Sequence, residues 1–68
     1  MEWISGFESS NVSKIAYEDG SLYVEFHHGG TYQYFDVPLH IFDEFSSAAS
    51  KGQFLAHQFK GHFRYSLV

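Results

Sequence analysis

The sequence predicts an α+β fold in which a three-stranded antiparallel β-meander is followed by two short helices that pack on one sheet face. Residues 11–37 alternate apolar and polar side chains with the period of a strand, and residues 39–59 repeat apolar side chains near the period of a helix. A chain of 68 residues has room for one domain, so residues 1–68 are expected to form a single domain. Its eight Phe, five Tyr and one Trp supply large side chains for a small core.

The first predicted strand is NVSKIAYE, residues 11–18, which is rich in β-branched and aromatic side chains. Val12 and Ile15 are out of phase within it, which predicts a β-bulge or a late start of the strand. The Asp-Gly dipeptide at 19–20 predicts a two-residue hairpin turn, because glycine accepts the positive φ that such a turn requires. The second strand is SLYVEF, residues 21–26.

This second strand separates Tyr23 from the predicted core. Its strict alternation places Tyr23 on one face and three apolar side chains on the other: Leu22, Val24 and Phe26. Tyr23 therefore faces outward, where it either pairs across strands, with Tyr17 or with a residue of the third strand, or is available for recognition.

The third strand, residues 31–37, follows a turn predicted at HHGG, residues 27–30. Tyr32 and Tyr34 lie two residues apart and therefore share one face of the sheet. They either pack inward or form an outward surface on which bases could stack. The polar Gln33 between them favours burial of at least one of the two rings.

At the end of this strand the apolar residues fall on the face that the polar Gln33 occupies. Phe35 and Val37 share the phase of Gln33, so a twist or bend near Asp36 is needed to bury them. Pro38 ends the strand and suits the first turn of a helix.

The first helix is predicted from about Leu39 to Ser47. Its apolar stripe consists of Leu39, Phe42, Phe45 and Ala49, with Ile41 beside it.

The second helix is predicted to begin at a capping box formed by Ser50 and Gln53, and its apolar face consists of Phe54, Leu55 and Phe59. The tail after it alternates Phe63, Tyr65 and Leu67, a pattern that would let it lie back against the sheet.

Composition excludes several classes of protein. No stretch approaches the roughly 18 apolar residues of a membrane span, and the first residues are acidic where a signal peptide is basic. The absence of Cys excludes disulfides and thiolate metal sites, and it fits a cytoplasmic protein. We therefore expect a soluble, cytoplasmic protein that does not associate with membranes.

The net charge of −4 is distributed unevenly. Residues 1–44 hold all eight acidic residues and one lysine, a net charge of −7, whereas residues 45–68 hold three basic residues and no acid, a net charge of +3. The last third of the chain is thus a small basic segment on an acidic body.

Four segments, in this order, resemble the KTSC family: SSNVSKIAY, LYVEFHHGGTYQYFDVP, SKGQF and FRYSLV. This family comprises small domains appended to the C-terminus of some lysyl-tRNA synthetases and free-standing bacterial proteins. The resemblance extends from about Ser9 to Leu67 and is centred on Tyr32 and Tyr34. It implies a small domain for which RNA binding has been suggested from its attachment to a tRNA enzyme.

Two functions from different classes follow as hypotheses. The first is a non-catalytic module for tRNA-like RNA, in which basic side chains bind phosphate and tyrosines bind bases. The predicted phosphate-binding residues are Lys51, His57, Lys60, His62 and Arg64, and the predicted base-binding residues are Tyr23, Tyr32 and Tyr34. The alternative is a protein-interaction or homodimer module that uses an aromatic sheet face or a free strand edge.

Metal binding and catalysis find little support in the pattern. The adjacent His27 and His28 point to opposite faces of a strand, and His57 with His62 lacks the spacing of a helical ligand pair. The sequence contains no Cys nucleophile, no serine in an elbow motif and no carboxylate pair in an apolar setting. We expect no catalytic activity, no cofactor and no metal.

Overall fold

The computed structural model describes residues 1–68 as a five-stranded antiparallel sheet, in the order β1-β2-β3-β4-β5, with its helices on one face. The elements are β1 (Trp3–Ile4), β2 (Val12–Glu18), β3 (Ser21–Phe26), β4 (Thr31–Tyr34), α1 (Leu39–Ser47), α2 (Lys51–Phe54), a π-helical continuation of α2 (Leu55–Phe59) and β5 (Tyr65–Leu67). The predicted α+β class is confirmed, but the predicted number of three strands is wrong, because β1 and β5 add one strand at each edge.

The central meander forms for the local reasons that the sequence indicates. Asp19 and Gly20 join β2 to β3 with φ angles of 52° and 77°, the positive values of a tight hairpin turn. The register of β2 on β3 shifts between Val12 and Lys14, which confirms the bulge predicted for the first strand.

The two edge strands are short and lie outside the three predicted strands. The two residues of β1 place Trp3 opposite Ala16 of β2. The three residues of β5 place Tyr65 opposite Tyr34 of β4. The pairing of β5 confirms the prediction that the alternating tail lies back against the sheet, whereas the two residues of β1 show no period of their own.

Helix α1 begins and ends where the sequence predicts, but its packed face is narrower than expected. Phe45 is fully buried, and Ile41 and Phe42 are half-buried against the core. Leu39 is 59% exposed and lies outside the packed face, and Ala49 lies beyond the end of the helix. The stripe predicted from Leu39 to Ala49 is thus wrong at both ends.

The second helix changes from α-helical to π-helical geometry after its first turn. The Ser50 hydroxyl accepts the N–H of Gln53 at 3.2 Å, which is one half of the predicted capping box. The Lys60 N–H then donates to the Leu55 carbonyl, five residues earlier, at 2.9 Å. This π-helical turn buries both Leu55 and Phe59, four residues apart, against the sheet.

Helices and sheet enclose one core, formed by Val12, Ile15, Leu22, Val24, Val37, Phe45, Leu55 and Phe59. Val37 reaches this core because Asp36, with a φ of 56°, reverses the alternation after β4. The Val37 N–H then donates to the Gly20 carbonyl at 2.8 Å. The bend predicted near Asp36 is therefore a single left-handed residue. Because this residue breaks the extended backbone, β4 ends at Tyr34, and the strand end predicted at Val37 is wrong.

Candidate nucleic-acid interface

The tyrosine pair of β4 faces the helices. Tyr32 lies opposite Val24 and Tyr34 lies opposite Leu22, and both of these β3 residues are fully buried under the helices. Both tyrosines therefore project from the covered face of the sheet, as the inward interpretation expects. Each is only half-buried, so part of each ring remains accessible to solvent.

The helices leave the end of the sheet near β5 open, and an aromatic cleft of about 450 Å³ remains between β4, β5 and the π-helical turn. We call it the tyrosine cleft; among its lining residues are Phe26, Tyr32, Tyr34, Phe59, Lys60 and Tyr65. The ring centroid of Tyr65 lies 5.4 Å from that of Tyr32 and 5.9 Å from that of Tyr34. Phe59, on the helix side, lies 5.1 Å from Tyr34. Through these contacts the three tyrosines form one packed cluster.

The charge of the tyrosine cleft differs from that of the whole chain. Its rim includes Lys60 on the helix side and His27 and His28 on the turn between β3 and β4. None of its 15 lining residues is acidic, although the chain carries eight acids. The cleft is thus a neutral-to-positive surface on an acidic protein, which suits an anionic ligand.

Burial also affects the chemistry of the cleft. The pKa of the Tyr34 hydroxyl is raised above its ordinary value of 10.0, first by partial burial and then by the neighbouring Tyr32 and Tyr65 hydroxyls. A tyrosine is already neutral at physiological pH at its ordinary pKa, and the upward shift moves ionisation of Tyr34 further into the alkaline range.

Lys51, a predicted phosphate-binding residue, is buried and 5% exposed. Its ammonium group donates to the carbonyls of Ser46 and Ala48 at 3.2 and 2.9 Å. It also lies 4.8 Å from the centroid of the Phe7 ring. Lys51 therefore joins the end of α1 to the N-terminal segment, and its charge is not available to phosphate.

The remaining basic residues do not form one surface. Lys60 lines the cleft, whereas Arg64 donates to the Asp36 carboxylate at 3.1 Å and lies against the Phe35 ring. His57 and His62 are exposed but do not line the cleft. Of the five predicted phosphate-binding residues, the structure brings only Lys60 to the tyrosines.

Tyr23 lies on the opposite face of the sheet. Its ring packs edge-on against Trp3 of β1, with 6.4 Å between centroids, above the fully buried Ala16. The Lys14 ammonium lies 4.7 Å from the Trp3 ring. Tyr23 is paired in register with Ala16 of β2 and with Gln33 of β4, so the predicted third-strand partner is confirmed and Tyr17 is not its partner. Tyr23 therefore cannot share a binding surface with the cleft.

Sequence reasoning missed Tyr65, which is 61% exposed at the mouth of the cleft. The alternation of the tail contains the relevant signal, since a strand pairing there with β4 would align Tyr65 with Tyr34.

The structure contains no group of three or more His, Asp or Glu side chains arranged to hold a metal ion. It also has no helix with the length and hydropathy needed to cross a membrane.

Comparison with known proteins gives consistent results. The family model of the KTSC domain matches residues 8–63. Over 60 residues, which are 85% of this chain, the sequence is 40% identical to lysine–tRNA ligases of Trichormus variabilis and of a Nostoc species. The matched region is 11% of each ligase, so this chain spans about a tenth of their length.

The fold is also found in a solved structure. The crystal structure of a KTSC domain protein from Yersinia pestis is similar to this chain with a TM-score of 0.91 and 35% sequence identity. The similarity covers 98% of this chain and 96% of the Yersinia chain.

Proposed function

Because this chain belongs to the KTSC domain family, we propose that it is a small non-catalytic module that binds tRNA-like RNA through the tyrosine cleft. The observation that carries the proposal is the combination of three clustered tyrosines, one lysine and no acidic lining residue. The lysine–tRNA ligases that resemble the chain support an RNA-related role and, with it, a cytoplasmic location.

The cleft offers bases a stacking surface of limited size. Tyr65 is the most exposed of its three tyrosines, and stacking of one base on an aromatic ring stabilises a complex by about 1–3 kcal/mol. Tyr32 and Tyr34 form the floor beneath it and hold its position. Unpaired bases are the expected ligands, because bases in a duplex do not expose their faces to such a cleft.

Lys60 supplies the fixed positive charge for a neighbouring phosphate. With one lysine in the cleft and a net charge of −4 on the chain, we expect modest affinity and a salt dependence that reflects few phosphate contacts. For single-stranded RNA the slope of log K against log salt is about −0.7 for each phosphate contacted.

The test is an NMR titration of the ¹⁵N-labelled protein with tRNA and with a short single-stranded RNA, at low and at moderate salt. We expect salt-sensitive shifts at Lys60, Tyr65 and the two β4 tyrosines, and none at Tyr23. The protein-interaction alternative predicts no shifts with either RNA at low salt, and that result would exclude the RNA proposal.

Two variants sharpen the titration. Tyr65→Ala removes the exposed ring and should weaken binding about 5- to 150-fold, the equivalent of one stacked base. Lys60→Ala should weaken binding and make the salt slope less negative by about 0.7. The controls are Leu39→Ala, an exposed apolar side chain on α1, and Lys14→Ala, a lysine on the opposite sheet face. If both controls weaken binding as much as the cleft variants, the site is elsewhere.

A further inference from the structure

Strand β5 leaves one edge of the sheet free. It pairs with β4 on one side and has no strand on the other. The Arg64 carbonyl and the Val68 N–H both hydrogen-bond toward the β4 side at 2.9 Å. Because backbone groups alternate along a strand, the N–H and C=O groups of Tyr65 and Leu67 point away from the sheet.

The free edge is also apolar. Tyr65, Leu67 and Val68 are 61%, 64% and 63% exposed, and they account for half of the six large exposed hydrophobic side chains. Edge strands of monomeric proteins usually carry a lysine, a proline or a bulge that prevents further pairing. Residues 65–67 contain none of these, and the adjacent Arg64 is already paired with Asp36.

We propose that β5 pairs antiparallel with β5 of a second copy of this chain, about a two-fold axis at Ser66. In this register Tyr65 lies opposite the partner's Leu67, and Leu67 lies opposite the partner's Tyr65. Each pair exchanges two backbone hydrogen bonds, so the outward groups of both residues are satisfied. The two five-stranded sheets become one continuous sheet.

This register follows from the backbone N–H and C=O groups of β5 that have no hydrogen-bond partner within the chain. A two-fold axis at Tyr65 would instead need the N–H of Phe63, which already donates to the Phe59 carbonyl at 3.3 Å. An axis at Ser66 makes the two serines a non-hydrogen-bonded pair, in which Cα atoms approach to about 4.5 Å. The serine side chains are small enough for that approach.

Side chains and charges are compatible with the same arrangement. Tyr65 and Leu67 project from the same face of β5, since they pair with Tyr34 and Tyr32 of β4. Each exposed ring therefore covers an exposed Leu67 across the axis, a cross-strand pair that stabilises antiparallel sheets. No like charges face each other, because each Arg64 lies near an end of the paired segment.

The interface is short, so we expect a weak dimer with a Kd in roughly the 10 µM to 1 mM range. The inference does not depend on RNA binding, because it rests on the backbone edge and not on the cleft. In the dimer the two clefts would flank the axis, since Tyr65 contributes to both features.

Sedimentation equilibrium of the full chain over a range of concentrations, without RNA, tests the proposal. We expect a monomer–dimer equilibrium that Leu67→Lys weakens by at least about tenfold. The matched control is Leu39→Lys, which places the same charge at an exposed leucine on α1 and should leave the Kd unchanged.

A second measurement uses the unaltered protein and does not depend on the folding of a variant. In a mixture of ¹³C-labelled and unlabelled chains, isotope-filtered NOEs should connect Tyr65 of one copy with Leu67 of the other. A chain that shows no dimer at about 1 mM, where even a Kd at the upper end of the expected range would leave about half of the chains in dimers, would overturn the proposal. A dimer that shows no Tyr65–Leu67 NOE would overturn it equally.

Discussion

Lys51 and Lys60 show how two identical side chains in one short segment acquire different roles. Lys51 is 5% exposed and its ammonium group is satisfied by two carbonyls, whereas Lys60 is exposed at the rim of the tyrosine cleft. A lysine can extend its apolar stem through the interior and still satisfy its charge at backbone oxygens. Both lysines carry the same formal charge in the sequence, so a count of charge treats them alike.

Lys51→Ala should therefore lower stability without lowering affinity for RNA. The variant leaves the Ser46 and Ala48 carbonyls without their donor, at a cost of about 1–3 kcal/mol in the free energy of unfolding. Urea denaturation measures this cost, and Lys60→Ala, as control, should stay within about 0.5 kcal/mol of the unaltered protein. A folded Lys51→Ala protein that binds RNA more weakly than Lys60→Ala would contradict this assignment.

At the scale of elements, the register of β4 on β3 and the course of the second helix create the cleft. The register directs Tyr32 and Tyr34 to the helix side, and the π-helical turn that follows α2 places Lys60 beyond the packed residues Leu55 and Phe59. The start of this helix depends on the Ser50 hydroxyl, which caps the N–H of Gln53. The cap therefore supports one wall of the cleft.

Ser50→Ala should destabilise the protein by about 1 kcal/mol, because the N–H of Gln53 loses its acceptor. For a domain of this size that corresponds to a fall in Tm of about 4–8 °C, which differential scanning calorimetry resolves. Ser47→Ala is the matched control, since Ser47 is exposed at the end of α1. Equal effects of the two substitutions would show that the cap contributes nothing.

At the scale of the whole molecule, the sheet has two different aromatic faces. The helix side holds the core and, beyond it, the tyrosine cleft, while the other side carries Trp3 and Tyr23 over Ala16. Of the eight core residues only Phe45 and Phe59 are aromatic, so most of the rings lie around the core and at the edge of the covered face. The cleft tyrosines are thus both part of the packing and accessible to solvent.

The tyrosine cluster should make the whole fold sensitive to alkaline pH. The folded pKa of Tyr34 is raised above 10.0, so the native state retains a proton that the unfolded state releases. The associated stability is fully present below pH 10.0 and is lost as the pH rises through the folded pKa. Urea midpoints measured from about pH 8 to pH 11 should fall, and Tyr34→Phe should make that fall less steep.

The comparison for this alkaline effect is Tyr23→Phe, which removes a hydroxyl from the opposite sheet face. Tyr34→Phe and Tyr23→Phe should differ in the slope of stability against pH, and not only in stability at neutral pH. Identical slopes for the two variants would exclude Tyr34 as a source of the effect.

The sequence by itself determined the features that depend on neighbouring residues along the chain. These are the three central strands apart from the end of β4, the turn at residues 19–20, the bulge in β2, the bounds of α1, the Ser50 cap and the bend at Asp36. Each is specified within a few residues, by alternation, by the φ that a residue tolerates or by a side chain that reaches the next turn of backbone. The family resemblance likewise required only the order of short segments.

Only the tertiary structure decided which of these pieces meet. It paired the short strands β1 and β5 with the meander, buried Lys51, separated Tyr23 from the β4 tyrosines and added Tyr65 to the cleft. These outcomes depend on contacts between residues far apart in the chain, which the period of a single segment does not specify. The site is therefore a product of packing, while the strands and helices that form its walls are largely a product of local sequence.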